Sequence, residues 1–272
     1  MTAETWASPA RWPSLSADEV HVWVAALDED DGENASPLAV LTDDERVRAE
    51  RLVHEATRRR FVAGRGFLRL LLGRYLSVPP TRVIFTQGPR GKPGLAESPG
   101  SAGLRFNLAH SDEIALCALA LGREIGADVE HLRADIAEDD LAQRFFARAE
   151  AAQLAALPAG ARRLAFFRAW TRKEAYIKAR GDGLTRPLDS FEVSLGPDAS
   201  LVLDRNEPEA PDRWWLTEVS PEPGYVGALA VEGHGCDLRF WRWSATKARF
   251  GDCETPDDAG PRESGGVGPS SE

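Results

Sequence analysis

Residues 166–178 read FFRAWTRKEAYIK, and the fold turns on reading them as the middle of one helix. Apolar side chains recur at three- and four-residue steps, at Leu164, Phe167 and Trp170 and again at Ile177, which is the spacing of one helix face. No Gly or Pro interrupts residues 161–180, and Gly181 stands where a helix would stop. Glu174 lies one turn beyond Trp170, so it continues the stripe and is expected to point inward. A buried carboxylate is costly unless a positive group meets it. Lys178 follows one turn later on the same face. A solvated Glu–Lys pair has the same spacing and contributes little. The inward phase and a second acidic pair upstream favour a site.

That second pair lies in residues 124–130, EIGADVE. Ile125, Ala127 and Val129 alternate with Gly126, Asp128 and Glu130, a period of two that predicts a strand with both acids on one face. Two adjacent carboxylates repel and need a cation or a shared proton. With Glu174 arriving from the helix, three carboxylates converge. Such a donor set suits Mg²⁺, which takes a few carboxylates together with waters and substrate phosphates. Mn²⁺ accepts the same oxygen ligands.

The sequence Gly126-Ala127-Asp128-Val129-Glu130, followed by Trp170-Thr171-Arg172-Lys173-Glu174-Ala175-Tyr176-Ile177-Lys178, resembles the paired signature of the 4'-phosphopantetheinyl transferase superfamily. Further matches are Arg90-Gly91-Lys92-Pro93, Phe106-Asn107-Leu108-Ala109-His110-Ser111, the run from Arg144 to Glu150, and residues 183–191, GLTRPLDSF. They stand in family order over roughly residues 40–230, and motifs in order are a far more specific signal than any one alone. Length and N-terminal half resemble the larger, surfactin-synthetase-activating (Sfp-like) class. The resemblance implies an α+β fold: a pseudo-dimer of two similar α/β half-domains, each a small, mainly antiparallel sheet packed with helices, with the active site at their interface. It implies a Mg²⁺-dependent transfer of 4'-phosphopantetheine from coenzyme A to a serine of an apo acyl or peptidyl carrier protein, releasing 3',5'-ADP. The expected catalytic set is Asp128, Glu130, Glu174 and Lys178. Asp128, Glu130 and Glu174 would hold the metal. Arg48, Arg90, Lys92, Asn107, His110 and Lys178, with Asp128 and Glu174, would bind coenzyme A. Glu174 is the expected base, directly or through a metal-held water, with Glu150 a candidate second carboxylate. The family commonly has a hydroxyl residue before the histidine; Ala109 stands there and removes one expected hydrogen bond to coenzyme A.

The rest of the chain fits that reading. A net charge of −10 argues against a nucleic-acid binder. A metal-dependent nuclease would also cluster acids with a lysine, but Leu132 follows Glu130-His131 where such enzymes place lysine. A non-catalytic coenzyme A or carrier-binding module is the other alternative. Cys117, Cys236 and Cys253 have no metal-ligand spacing, and their odd number argues for a reducing cytoplasm. Residues 1–20 lack a signal peptide's apolar run, and no stretch of about eighteen apolar residues predicts a membrane span. The chain has 33 Lys plus Arg, of which only Lys92, Lys173, Lys178 and Lys247 are lysines. Three of these fall in the motifs, where a compact ammonium suits phosphate oxygen. Carrier domains are acidic bundles, as the resemblance implies, so Arg144, Arg148, Arg162 and Arg163 are the expected docking patch. Residues 1–18 read as a loose lead-in and the composition of 251–272 predicts a disordered tail; the two halves that the resemblance implies fall at 19–122 and 123–250. Within them, residues 86–103 read as a loop, and strands over 104–108 and 114–120 flank a turn at 109–112. The pseudo-dimer that the resemblance implies points to a monomer.

Overall fold

The computed structural model describes residues 6–28, 36–96 and 103–244. The tail expected to be disordered lies outside the described residues. The first half of the chain supplies β1 (Glu19–Ala26), α1 (Asp43–Glu50), α2 (Glu55–Leu76), β2 (Phe85–Gln87), β3 (Pro93–Leu95), β4 (Leu104–Ser111) and β5 (Ile114–Leu121). The second supplies β6 (Ile125–His131), α3 (Glu138–Phe145), α4 (Arg148–Ala156), α5 (Ala159–Arg180), β7 (Phe191–Val193), β8 (Leu201–Asp204), α6 (Ala210–Arg213), β9 (Trp214–Val219), β10 (Tyr225–Glu232) and β11 (Asp237–Arg242).

The halves repeat one plan. In the first sheet β5 lies between β1 and β4; in the second β10 lies between β6 and β9. Every one of these pairings is antiparallel. Each sheet carries one long helix, and α2 and α5 are both 22 residues long. The fold is thus α+β with two like halves, as the resemblance implied.

Alternation along the strands sets the layers. Trp23, Ala25, Ala115, Cys117 and Leu119 turn to Phe67, Leu68, Leu71 and Leu72 of α2. Their neighbours Val20, Val22, Leu116, Ala118 and Ala120 turn the other way, onto Ile125, Ala127, Val129, Leu229 and Val231 of the second sheet. Ala228, Ala230 and Leu216 then meet Phe166, Phe167, Tyr176 and Ile177 of α5. The order is helix, sheet, sheet, helix. Sheets covered on both faces require strands apolar on both faces, hence the nearly continuous apolar run of β5.

The helix α5 is buried almost all round, so its apolar surface is wider than the single stripe expected. Leu164, placed on that stripe, is exposed. Gly181 ends the helix in the left-handed conformation, φ 71°. Gly126 is required by the close approach of β6 to α5: a methyl there would overlap the Ala175 carbonyl oxygen and the Ala179 nitrogen.

Four expectations are corrected. Residues 6–18 are not a loose lead-in. Trp12 stacks on Trp23 at 5.1 Å between ring centroids, and the Trp6 indole N–H donates to the Ser220 carbonyl at 3.1 Å. Strand β4 runs on through His110 and Ser111, because the turn needs only Asp112, at φ 47°, and Glu113. Part of the stretch read as a loop is a hairpin, β2 with β3. Strand β11, expected with the second half, lies parallel to β1 and extends the first sheet.

Candidate active site

Strand β6 and helix α5 bring the two acidic motifs together. The Lys178 ammonium donates to Asp128 Oδ1 at 2.6 Å. Asp128 is buried, and its second oxygen, Oδ2, has no hydrogen-bond partner among the described residues. Burial pushes the Asp128 carboxyl up to about 7; Lys178 opposes that rise, and the charges of Glu130 and Glu174 add to it. Glu174 is raised as well, first by burial, with Lys178 opposing and Glu130 adding. Burial disfavours the Lys178 ammonium, but Asp128, Glu174 and Glu130 outweigh it and leave the lysine above its usual value. The expected four therefore form one electrostatic unit.

Glu130 accepts from the Ser111 hydroxyl at 2.8 Å. His110, beside Ser111, is exposed, yet neighbouring atoms strip water from its ring and hold its pKa down, helped by Lys178 and opposed by Glu130. The first half thus contributes His110 and Ser111 to a cluster otherwise built from the second.

The basic residues expected at phosphate are placed as follows. Lys92 reaches across from the hairpin to Glu124 Oε2 and to the Ala179 carbonyl, both at 2.6 Å. Arg90, half exposed, pairs with Asp182 just beyond α5. Both lie at the C-terminal end of the helix that carries Lys178. Arg48 is exposed on α1, its guanidinium 5.3 Å from the Phe61 ring centroid. Asn107 is buried, and its side-chain oxygen accepts from the Ala127 N–H at 2.9 Å.

Glu150 does not join the cluster. It is 2 % exposed, pairs with Lys173 at 2.8 Å, and accepts from the Ala147 and Val193 amides at 2.9 and 2.7 Å. Its oxygens are spent inside the second core, so it is no water-holding carboxylate. Arg162 and Arg163 are likewise committed, to Asp139 at 3.2 Å and Glu138 at 2.9 Å, which weakens them as a basic patch. Sequence reasoning gave no role to Ser111, Glu124 or Asp182. The only signal for Ser111 was its place in the histidine motif.

Among the described residues no three His, Cys, Asp or Glu side chains are gathered closely enough to hold a metal ion. The donor chemistry still suits a hard cation. An orphaned buried carboxylate oxygen stands among acids that raise one another, and a divalent ion would relieve both.

Two family models match the chain. One, described as 4'-phosphopantetheinyl transferase, N-terminal, covers residues 30–121; the other, the 4'-phosphopantetheinyl transferase superfamily, covers residues 124–230. The chain is similar to the 4'-phosphopantetheinyl transferase HetI of Nostoc sp., 41 % identical over 89 % of this chain and 100 % of that protein. A putative 4'-phosphopantetheinyl transferase of Synechocystis sp. is 36 % identical over 66 % of this chain and 72 % of its own length. The 4'-phosphopantetheinyl transferase Sfp of Bacillus subtilis is 28 % identical over 73 % and 85 %.

Proposed function

The chain belongs to the 4'-phosphopantetheinyl transferase superfamily and is an enzyme of that kind, and we propose that it transfers 4'-phosphopantetheine from coenzyme A to a serine of an acyl or peptidyl carrier protein. The observation that carries this reading is the Lys178–Asp128 bond, with Glu130 and Glu174 acting on the same buried carboxylate. Such a cluster offers both cationic and anionic groups to a diphosphate.

Asp128, Glu130 and Glu174 would hold Mg²⁺, or Mn²⁺, which when bound supplies positive charge to the diphosphate oxygens. The chain's own residues do the rest. Arg48, Arg90, Lys92 and His110 are the groups available for the phosphates of coenzyme A. Arg90 and Lys92 would exchange their present carboxylate partners, Asp182 and Glu124, for phosphate oxygens, one anionic acceptor for another. The carrier serine oxygen bonds to the phosphorus bearing pantetheine as the bond from that phosphorus to the bridging oxygen breaks. Glu174, half-buried one helical turn before Lys178, takes the serine proton. The Lys178 ammonium neutralises the departing 3',5'-ADP oxygen. Among the described residues Cys117 and Cys236 are free thiols, which fits a cytoplasmic enzyme, and the repeated sheet plan within one chain fits a monomer.

Intact mass of an apo carrier after incubation with the protein, coenzyme A and Mg²⁺ tests the proposal. The expected result is one added phosphopantetheine, lost with EDTA and on a carrier whose serine is replaced by alanine. No addition to any acyl or peptidyl carrier, with coenzyme A still bound, would leave a binding module instead.

A further inference from the structure

Strand β4 ends the first sheet and β6 ends the second, so each presents an edge with unpaired backbone groups to the other half. Among the described residues no strand ladder joins them. Two side chains do. The Ala127 N–H donates to Asn107 Oδ1 at 2.9 Å, and the His131 N–H donates to Ser111 Oγ at 3.1 Å. Each bond spans 20 residues of sequence, so the two strands run in the same direction in one fixed register. Between these two bonds lie Asp128 and Glu130 on β6 and His110 on β4.

Ser111 does more than close the seam. Having accepted from the His131 amide, its hydroxyl has one proton left to give, and gives it to Glu130 Oε2 at 2.8 Å. The amide fixes the oxygen; the oxygen then aims its proton at the carboxylate. A Glu side chain has three rotatable bonds, and among the described residues no other hydrogen bond holds this one at its half-buried strand end. We propose that Asn107 and Ser111 form a register clamp between the halves, and that Ser111 is the positioning residue that holds the Glu130 carboxylate in place for the metal. Asn107 then serves the seam and does not contact coenzyme A.

This inference rests on the metal role proposed for Glu130. It also gives the interface a purpose: a second-half carboxylate is oriented by a first-half hydroxyl, so the site is complete only with both halves docked. Outer-shell partners of metal ligands commonly contribute a factor of roughly 10–100 to metal affinity.

The test titrates Mn²⁺ by calorimetry into wild type, Ser111→Ala and Ser111→Thr, each saturated with coenzyme A. Coenzyme A affinity is measured separately in EDTA. The expected result is metal affinity down roughly tenfold to a hundredfold in the alanine variant, restored by threonine, with metal-free coenzyme A affinity unchanged. Equal metal affinity in wild type and Ser111→Ala overturns the proposal. Should wild type itself bind no Mn²⁺, the metal reading of the function fails, and the crystal structure of Ser111→Ala decides the clamp. Glu130 displaced with the β6 backbone unmoved supports it; Glu130 in place overturns it. If the alanine variant does not fold, Ser111→Cys replaces it in both measurements, since a thiol has a similar shape and donates weakly.

Discussion

At the scale of single residues, Asp128 is bound by Lys178 at one oxygen and bare at the other, while Glu174 is raised without a hydrogen-bond partner of its own among the described residues. In the proposed mechanism Asp128 is the carboxylate held in place and Glu174 the one that accepts a proton. Glu174→Gln keeps the shape and removes the proposed base, and the transfer rate is expected to fall about a hundredfold to ten-thousandfold. Intact-mass kinetics on an apo carrier, with the thermal transition as the folding control, check it. A second titratable group lies far from this chemistry. His21 is 1 % exposed, its Nδ1 2.6 Å from the Tyr75 hydroxyl, and burial pushes its pKa down to about 4, with Glu19 opposing. The folded state therefore binds this proton less readily than the unfolded chain does. The contribution is fully present above the unfolded value near 6.5 and is lost as pH falls through about 4. Over that window the stability attributable to His21 should decline by roughly 3 kcal/mol. Denaturant unfolding at a series of pH values, wild type against His21→Gln, measures it; parallel curves would refute it.

At the scale of elements, α5 unites the site with the second core. One turn of it faces β6 through Gly126, and the opposite side carries Lys173 into the second core. Gly126→Ala should separate helix from strand, because the obstacle is backbone that has no rotamer to yield. A loss of about 3 kcal/mol or more is expected, together with transfer activity, since the same separation pulls Lys178 from Asp128. Calorimetric unfolding and the mass assay read the two losses. Lys173 is 0 % exposed; besides Glu150 it donates to the Leu188 and Phe191 carbonyls at 2.8 and 2.7 Å. Removing one member of such a pair leaves a buried charge, so Lys173→Met should cost about 3–5 kcal/mol. The double variant with Glu150→Gln should lose less than the two single losses added together, which a double-mutant cycle on unfolding free energies will show. Sequence periodicity found α5 and its Gly181 stop, and it found Asp128 and Glu130 on one strand. It could not find that Glu150, equally acidic and also in a motif, is a structural ion pair, because that depends on which residue the fold sets opposite.

At the scale of the whole molecule, two like halves meet sheet to sheet, and β11 crosses back to flank β1. Trp241 stacks on Trp23 at 5.2 Å, and Trp243 lies 6.1 Å from the same ring. A chain ending at Gly235 would bare the β1 edge and this aromatic cluster; loss of the cooperative thermal transition is expected, with binding of a hydrophobic dye as the measure. The sequence by itself determined the motifs, the order of most strands and helices, the two-half plan through its resemblance, and the four charged residues at the centre. These follow from local period, from capping and from residue chemistry, all of which act over a few positions. Only the tertiary structure decided that β4 and β6 meet edge to edge, that Ser111 holds Glu130, and that Asn107 closes the seam. It alone showed that Arg90 and Lys92 start out paired with Asp182 and Glu124. A hydrogen bond forms within about 3 Å, and residues 20 or 92 positions apart come that close only when the packing of both sheets has fixed where each edge lies.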